Sequence, residues 1–298
     1  MPSNTFGSLN AALIAQRGLE LLVTNFPLIG AIVTDFSDSD VHYGQTITTR
    51  IPTIGSVRDY DSGNAGYNAT GAVSSDVSVL LDKYKHASFD IDDAAFSATN
   101  RNLVEDYAVA FSAALGAQIM SDIAALWTSG NYPHGVTGLA TTGNRGSLII
   151  DPKKDMSKRY IYGDLVGVFN CDAYYQLFKD TSIVDVGFKG VGISSATLPT
   201  VHGVSLSEYA DLPTSQNLCG VIMRKDAVIF AARPPSDAGF ADLPQVGRIT
   251  KVTEPKTGLT IQTREFYDMR LGRRQVTFTL IYGCAKGQVK SLERLQTS

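Results

Sequence analysis

Gly44-Gln45-Thr46-Ile47-Thr48-Thr49-Arg50-Ile51-Pro52 opens the stretch that decides the fold of this 298-residue chain. Thr46 to Ile51 has strand character, and Pro52 closes the strand or sets it at a sheet edge. Residues 55–76 form a polar tip spaced by Gly55, Gly63, Gly66 and Gly71, with Tyr60, Asn64 and Tyr67 among them. Val77, Val79, Leu81, Phe89 and Ile91 then predict one returning strand. A two-stranded ribbon of this kind is marginal on its own, so it must lie on something else. That requirement points to a part of an assembly and away from a catalytic pocket.

The same stretch continues into a helix. Asp92 and Asp93 suit a helix N-terminus, where carboxylates meet the positive end of the dipole. Leu103, Tyr107, Phe111, Leu115, Ile119, Ile123 and Leu126 recur every three or four residues. They predict one helix from Thr99 or Asn100 to Thr128, about thirty residues and ~45 Å long. Typical globular helices have ~11–12 residues, so this one reads as a spine.

Outward from this stretch, Ser8 can cap an N-terminal helix through Leu9, Leu13, Ile14, Leu21 and Leu22, ended by Pro27 and Gly30. Asp35 to Asp40 reads as an acidic turn. Residues 129–160 read as loops and short strands. Leu165 to Phe169 is a buried strand, and Asn170 or Asp172 caps a helix through Tyr175, Leu177 and Phe178. Gly187 to Thr200 reads as flexible, and Val201 to Leu206 as a strand. Val221-Ile222-Met223 and Val228-Ile229-Phe230 flank a turn at Arg224-Lys225-Asp226. Residues 248–254 and 259–266 form a hairpin across Pro255 to Gly258, and Val276 to Tyr282 is the last long strand. The class is α+β.

Composition narrows the function. Hydrophobic residues make up 44% and charged residues 18% of the chain, low charge for a soluble protein. This suits a surface largely buried against partners. The net charge of −3 gives no global basic field for nucleic acid. Residues 264–298 nevertheless hold seven basic and three acidic residues. Three widely spaced cysteines, Cys171, Cys219 and Cys284, provide no disulfide framework, which fits a reducing compartment. The N-terminus lacks the order of a signal peptide. Leu21 to Thr34 is too short for a bilayer span, so no membrane partner is expected and synthesis is expected in the cytoplasm.

No catalytic pattern appears. Gly-x-Ser-x-Gly, the Walker loop, the dinucleotide fingerprint and His-Glu-x-x-His are all missing. Gly187 to Gly192 fits neither phosphate motif. His42, His86, His134 and His202 stand apart from any second ligand at metal spacing. Asp35, Asp38 and Asp40 lack the glycine and final glutamate of a calcium loop. Asn68-Ala69-Thr70 matches a sequon with nothing else to indicate secretion. Trp127 reads as core. No catalytic, cofactor or metal residue is assigned, and the chain is not expected to be an enzyme. The loop-tip residues Arg58, Asp59, Tyr60 and Tyr67 are the candidate inter-subunit contacts, since amphipathic rings are common interface anchors.

The order of elements resembles the major capsid (coat) proteins of tailed bacteriophages, of the Hong Kong 97 type fold, over nearly the whole chain. The pieces that carry the resemblance are the N-terminal arm, Val33-Thr34-Asp35-Phe36-Ser37 leading into Gly44-Gln45-Thr46-Ile47, the spine helix, Val166-Gly167-Val168-Phe169-Asn170, the helix ending at Leu177-Phe178, Leu212-Pro213 and Ala227-Val228-Ile229-Phe230. The resemblance implies an N-terminal arm over 1–44, an extended loop over 45–91 and a peripheral domain with the spine helix over 92–162. An axial domain over 163–235 and a return to the peripheral domain over 236–298 complete it. It implies pentamers and hexamers closing into an icosahedral virion shell around double-stranded DNA, with Arg270, Arg273 and Arg274 as candidate inner-face DNA contacts. Implied partners are a portal protein, a decoration protein and, since the arm starting at Met1 leaves no room for a cleaved scaffolding segment, a separate scaffolding protein. The spacing also leaves no room for an inserted axial subdomain. No lysine lies between Gly55 and Ser75, so covalent cross-linking through a loop lysine is not expected. An encapsulin-like nanocompartment shell enclosing a cargo enzyme is the alternative, and an enzyme of unknown type is the remote one. The arm and the acidic turn before Gly44 favour the viral reading.

Overall fold

Two six-stranded sheets, a two-stranded ribbon and four helices after residue 90 form most of the described residues of a computed structural model of the chain. Those residues are 16, 19, 27–37, 39–52, 60, 74–98, 103–139, 147–178, 200–236, 247–253 and 258–297. The expected flexible segment 187–200 falls outside them except for Thr200, as does most of the N-terminal helix. Leu19 of that helix is helical and fully buried.

The first sheet is built around β13 (Arg273–Lys286). Its strand order is β1 (Val33–Phe36), β10 (Val228–Arg233), β13, β12 (Thr260–Asp268) and β11 (Arg248–Thr253). β4 (Lys83–Asp92) lies on the opposite edge of β13. β12 and β10 share one edge of β13 end to end, pairing with 273–279 and 281–286. Alternation along β13 sends Val276, Phe278, Leu280 and Tyr282 to one face, and all four are buried. Phe89 and Ile91 of β4 and Phe230 of β10 join them.

Helix α2 (Leu103–Ala124) covers that face. Leu115, Ile119, Met120, Ile123, Ala124 and Trp127 form its buried stripe at helical spacing. The Tyr282 hydroxyl donates to Asp122 Oδ2 at 2.6 Å and fixes helix against sheet. The spine ends at Ala124, short of the expected Thr128, and its described 22 residues span ~33 Å. Helical residues Asp93–Ala98 (α1) precede it, with Asp92 Oδ1 accepting from the Ala94 amide at 3.2 Å.

The second sheet has the order β5 (Gly135–Leu139), β14 (Leu292–Thr297), β9 (Leu218–Arg224), β6 (Leu165–Phe169), β8 (Val204–Glu208) and β7 (Thr200–Val201). Helices α3 (Ser147–Lys158) and α4 (Cys171–Phe178) pack on it. Asn170 is the cap of α4, accepting from the Ala173 amide at 2.8 Å. β7 and β8 turn at His202 and Gly203, both at positive φ, where a single strand was expected. β9 and β10 flank their turn as expected but enter different sheets.

Candidate assembly surfaces

The ribbon of β2 (Thr46–Pro52) and β3 (Ser74–Leu80) pairs in full register from Thr46–Leu80 to Pro52–Ser74. The expected single returning strand is two strands. The chain breaks at Leu81-Asp82, and β4 leaves the ribbon to pair with β13. Leu81 closes the ribbon's base, its amide donating to Gln45 O and its carbonyl accepting from Gly44 N, each at 2.9 Å. Gly44 has φ +84°, a conformation that glycine adopts without strain.

The base of the ribbon sits on the face of the first sheet opposite α2. Val79 and Leu81, with Ile47 and Val77, pack on Ile229, Ala231 and Ile281. Polar groups tie the segment before the ribbon to the same sheet, and Thr49 ties the ribbon to that segment. Asp35 Oδ1 accepts from Arg233 Nη2 at 2.6 Å, and Asp35 Oδ2 accepts from the Thr49 hydroxyl at 3.3 Å. Asp40 pairs with Lys251 at 2.5 Å. Asp35 thus belongs to strand β1, not to an acidic turn, and each carboxylate holds a cation of a neighbouring strand. Burial falls off along the ribbon. Val79 is fully buried, Val77 and Ile47 are half-buried, and Arg50 and Asp76 face each other across the strands in solvent.

Of the expected loop contacts, Tyr60 is 62% exposed, while Arg58, Asp59 and Tyr67 lie outside the described residues. The three candidate DNA-contact arginines do not form one patch. Arg273 and Arg274 are successive residues of β13 and point to opposite faces. Arg273 pairs with Asp90 at 3.3 Å, and Arg274 forms an ion pair with Glu265. Arg270 is exposed in the β12–β13 turn, without an ion-pair partner among the described residues.

That turn carries a feature that sequence reading missed. Phe266 and Tyr267 at the end of β12, with Met269 and Leu271 in the turn itself, are four of the twelve exposed large hydrophobics among the described residues, and Met269 is 86% exposed. Asp268 Oδ1 accepts from the amides of Arg270 and Leu271 at 2.9 and 3.2 Å. Gly272 follows at φ +59°, its carbonyl accepting from the Asp93 amide at 3.0 Å. The turn is therefore held rigidly while its apolar side chains face outward. The available signal was the run Phe266-Tyr267-Asp268-Met269-Arg270-Leu271, in which large apolar residues persist through a turn.

At the second sheet, the buried Glu293 forms an ion pair with the part-buried Arg159. Burial pushes the Glu293 carboxyl above its ordinary range, and Arg159 opposes the shift without cancelling it. His134 nearby is lowered by its own burial, then by Arg159 and Lys290. Burial raises the thiols of Cys219 and Cys284 to about 11 and about 12, which leaves them unreactive near neutrality. Among the described residues, no three His, Cys, Asp or Glu side chains gather as a metal site, and no helix is long and apolar enough to cross a membrane.

The sequence matches no protein-family model, and no curated protein matches it. Solved structures do match. The capsid structure of the cyanophage P-SCSP1u shares the fold at a TM-score of 0.59 and 13% identity, covering 90% of this chain and 86% of that one. A Mycobacterium phage Che8 structure aligns at a TM-score of 0.52 and 15% identity, covering 85% and 84%. The capsid of an empty GTA particle, computed with C5 symmetry, aligns at 0.54 and 11%, covering 91% and 89%. The chain therefore has the α+β fold seen in tailed-phage capsid shells, along most of its length.

Proposed function

We propose that this chain is the major capsid protein of a tailed bacteriophage, assembling as pentamers and hexamers into an icosahedral shell around double-stranded DNA. The observation that carries the reading is the ribbon. It is rooted on the sheet at Val79 and Leu81 and loses its contacts with its own chain toward Arg50 and Asp76. A two-stranded ribbon gains stability from a surface to lie on, and a neighbouring copy in a shell offers one. Arg58, Asp59, Tyr60 and Tyr67 are the proposed contacts to that copy.

In this reading the first sheet with α2 is the peripheral domain and the second sheet is the axial domain. The axial domain then draws β5 and α3 from residues before 163 and β14 from residues after 235. The virion is the working location, with shell assembly in the host cytoplasm. A scaffolding protein, a portal protein and a decoration protein are the proposed partners besides further copies. The DNA contact is non-specific and runs through phosphates. Many weak, repeated interfaces suffice to close such a shell, so no interface need be strong enough to isolate.

Electron microscopy and light scattering of the concentrated protein test this, with and without a co-expressed scaffolding protein. Closed shells or rings of five and six are expected. A persistent monomer in both preparations would overturn the reading. Deleting residues 58–70 should leave the helical circular dichroism intact and block shell formation. Shells that carry a protein cargo instead of nucleic acid would favour the nanocompartment alternative.

A further inference from the structure

Among the described residues, three chain segments cross between the two sheets. They are the segment from α2 to β5, the turn from β9 to β10 at Lys225–Ala227, and the turn from β13 to β14 around Val289–Ser291. All three meet at one atom. The carbonyl oxygen of Ala227 accepts from the Tyr132 hydroxyl at 2.7 Å and from the Gly287 amide at 2.8 Å. Tyr132 belongs to the first crossing, Ala227 to the second and Gly287 to the third. A carbonyl oxygen has two lone pairs, and here each is used to join a different segment.

The surroundings make this junction stiff. Tyr132 and Ala227 are fully buried, so neither bond is exchanged cheaply for water. The Gln288 amide donates to Asp226 O at 2.8 Å, which clamps the second and third crossings side by side. Arg224 Nε donates to Asp226 Oδ1 at 2.8 Å within a two-pronged pair that braces the turn. Arg294 Nε donates to Tyr132 O at 2.8 Å, so Tyr132 is held at both its backbone and its hydroxyl. A Cβ at Gly287 would stand 3.1 Å from the Ala227 oxygen and overlap that of Asp226. Only a residue without a side chain lets the crossings approach this closely.

We infer that the Tyr132–Ala227–Gly287 junction is the angular joint of the subunit, fixing the tilt between its two sheets and hence the curvature of the shell it builds. The inference rests on the shell reading above. In a closed shell of many copies, a small change of angle in each subunit is repeated at every interface. The junction therefore acts on particle size and uniformity more than on whether subunits associate.

The test compares wild type with Tyr132→Phe and Gly287→Ala by cryo-electron microscopy and light scattering of assembled particles. Tyr132→Phe removes one bond at nearly constant volume, and hydrogen exchange on the unassembled subunit reports the joint directly. The Gly287 amide should exchange at least tenfold faster in this variant, while amides of β6 and β9 keep their wild-type rates. Its particles should vary in diameter or remain open, and Gly287→Ala should do so more strongly. Particles of unchanged size distribution from both variants would overturn the joint and leave the shell reading standing. So would unchanged exchange at Gly287 in Tyr132→Phe. A wild type that forms no particles would overturn the shell reading itself.

Discussion

Gly283 of β13 lies directly beneath the backbone carbonyl of Leu80. A Cβ built on Gly283 would fall far inside contact distance of the Leu80 oxygen and 3.1 Å from a Val79 methyl. The end of the ribbon thus rests on the sheet through backbone, with Ala231 opposite Gly283 and Ile281 and Ile229 in the same cluster. Its take-off angle is set by the missing side chain.

Gly283→Ala should therefore lift the ribbon or bend β13. Overpacking of this kind destabilises by ~1–3 kcal/mol, to be read from chemical denaturation. The signature expected is local. Protection of the Leu81 amide, which donates to Gln45 O, should fall by more than that of amides in β9. Equal loss in both places would show that the glycine serves the whole fold and not the ribbon.

The ion pair of Glu293 and Arg159 gives a pH prediction. Burial dominates at Glu293, so its folded pKa lies above the ordinary 4.5. Between these two values the folded state binds more protons than the unfolded state. Stability from this group therefore rises as pH falls through the folded pKa toward about 4.5. His134 acts with opposite sign. Its folded pKa lies below 6.5, so its contribution is lost as pH falls from 6.5 through the folded value. Glu293→Gln should remove the first trend and His134→Asn the second, measured as unfolding midpoints between pH 4.5 and 7. Glu293→Ala should be worse than Glu293→Gln at neutral pH, since it leaves the part-buried Arg159 guanidinium without its side-chain acceptor, a loss at or below the ~3 kcal/mol of a fully buried pair.

Where alternation is local, the sequence was readable. β2 and the core of β13 follow from period-2 runs, β6 from a short apolar run, β11 and β12 from the turn residues between them, and the cap at Asn170 from its side chain. The failures have specific physical causes. Val77, Val79, Leu81, Phe89 and Ile91 keep one parity across the break at Asp82, so nothing in the pattern shows that β4 leaves for β13. Pro152 sits inside α3 and argues against a helix, although Leu148, Ile149, Pro152 and Met156 line one buried face. β14 hides Glu293 and Arg294 in its interior, where charge reads as surface. The allocation of β9 and β10 to different sheets depends on partners more than fifty residues away in sequence, such as Arg294 for Val221 and Cys284 for Phe230. That the ribbon must lie on something was legible, and its base does lie on the first sheet of its own chain, but the rigid apolar turn at Met269 was not legible, because exposure of a hydrophobic residue is decided by tertiary contacts.

Met269 and Leu271 separate stability from assembly. Both are exposed in the subunit, so replacing them with serine removes no intramolecular core. Met269→Ser with Leu271→Ser should change folding free energy by no more than ~0.5 kcal/mol. If the turn is covered by a neighbouring copy in the proposed shell, the double variant should raise the protein concentration needed for assembly at least tenfold by light scattering. Assembly at the wild-type concentration would show that the turn stays exposed in the particle.

Arg270, Arg273 and Arg274 should divide in their effects on nucleic acid. Each phosphate contact contributes about −0.9 to the slope of log affinity against log salt for duplex DNA. Arg270 has no ion-pair partner among the described residues, so its guanidinium is available to phosphate. Arg270→Ala should reduce the salt slope of DNA binding by about one phosphate contact and leave the melting temperature unchanged. Arg274 is held by Glu265 on the face shared with α2, so Arg274→Ala should lower stability and leave the slope unchanged. Arg273, paired with Asp90 in solvent, should lose less than ~1 kcal/mol on substitution. Titrations of DNA against the three variants from 50 to 200 mM salt decide the assignment. An unchanged slope in Arg270→Ala would remove this turn from the inner, DNA-facing surface of the shell.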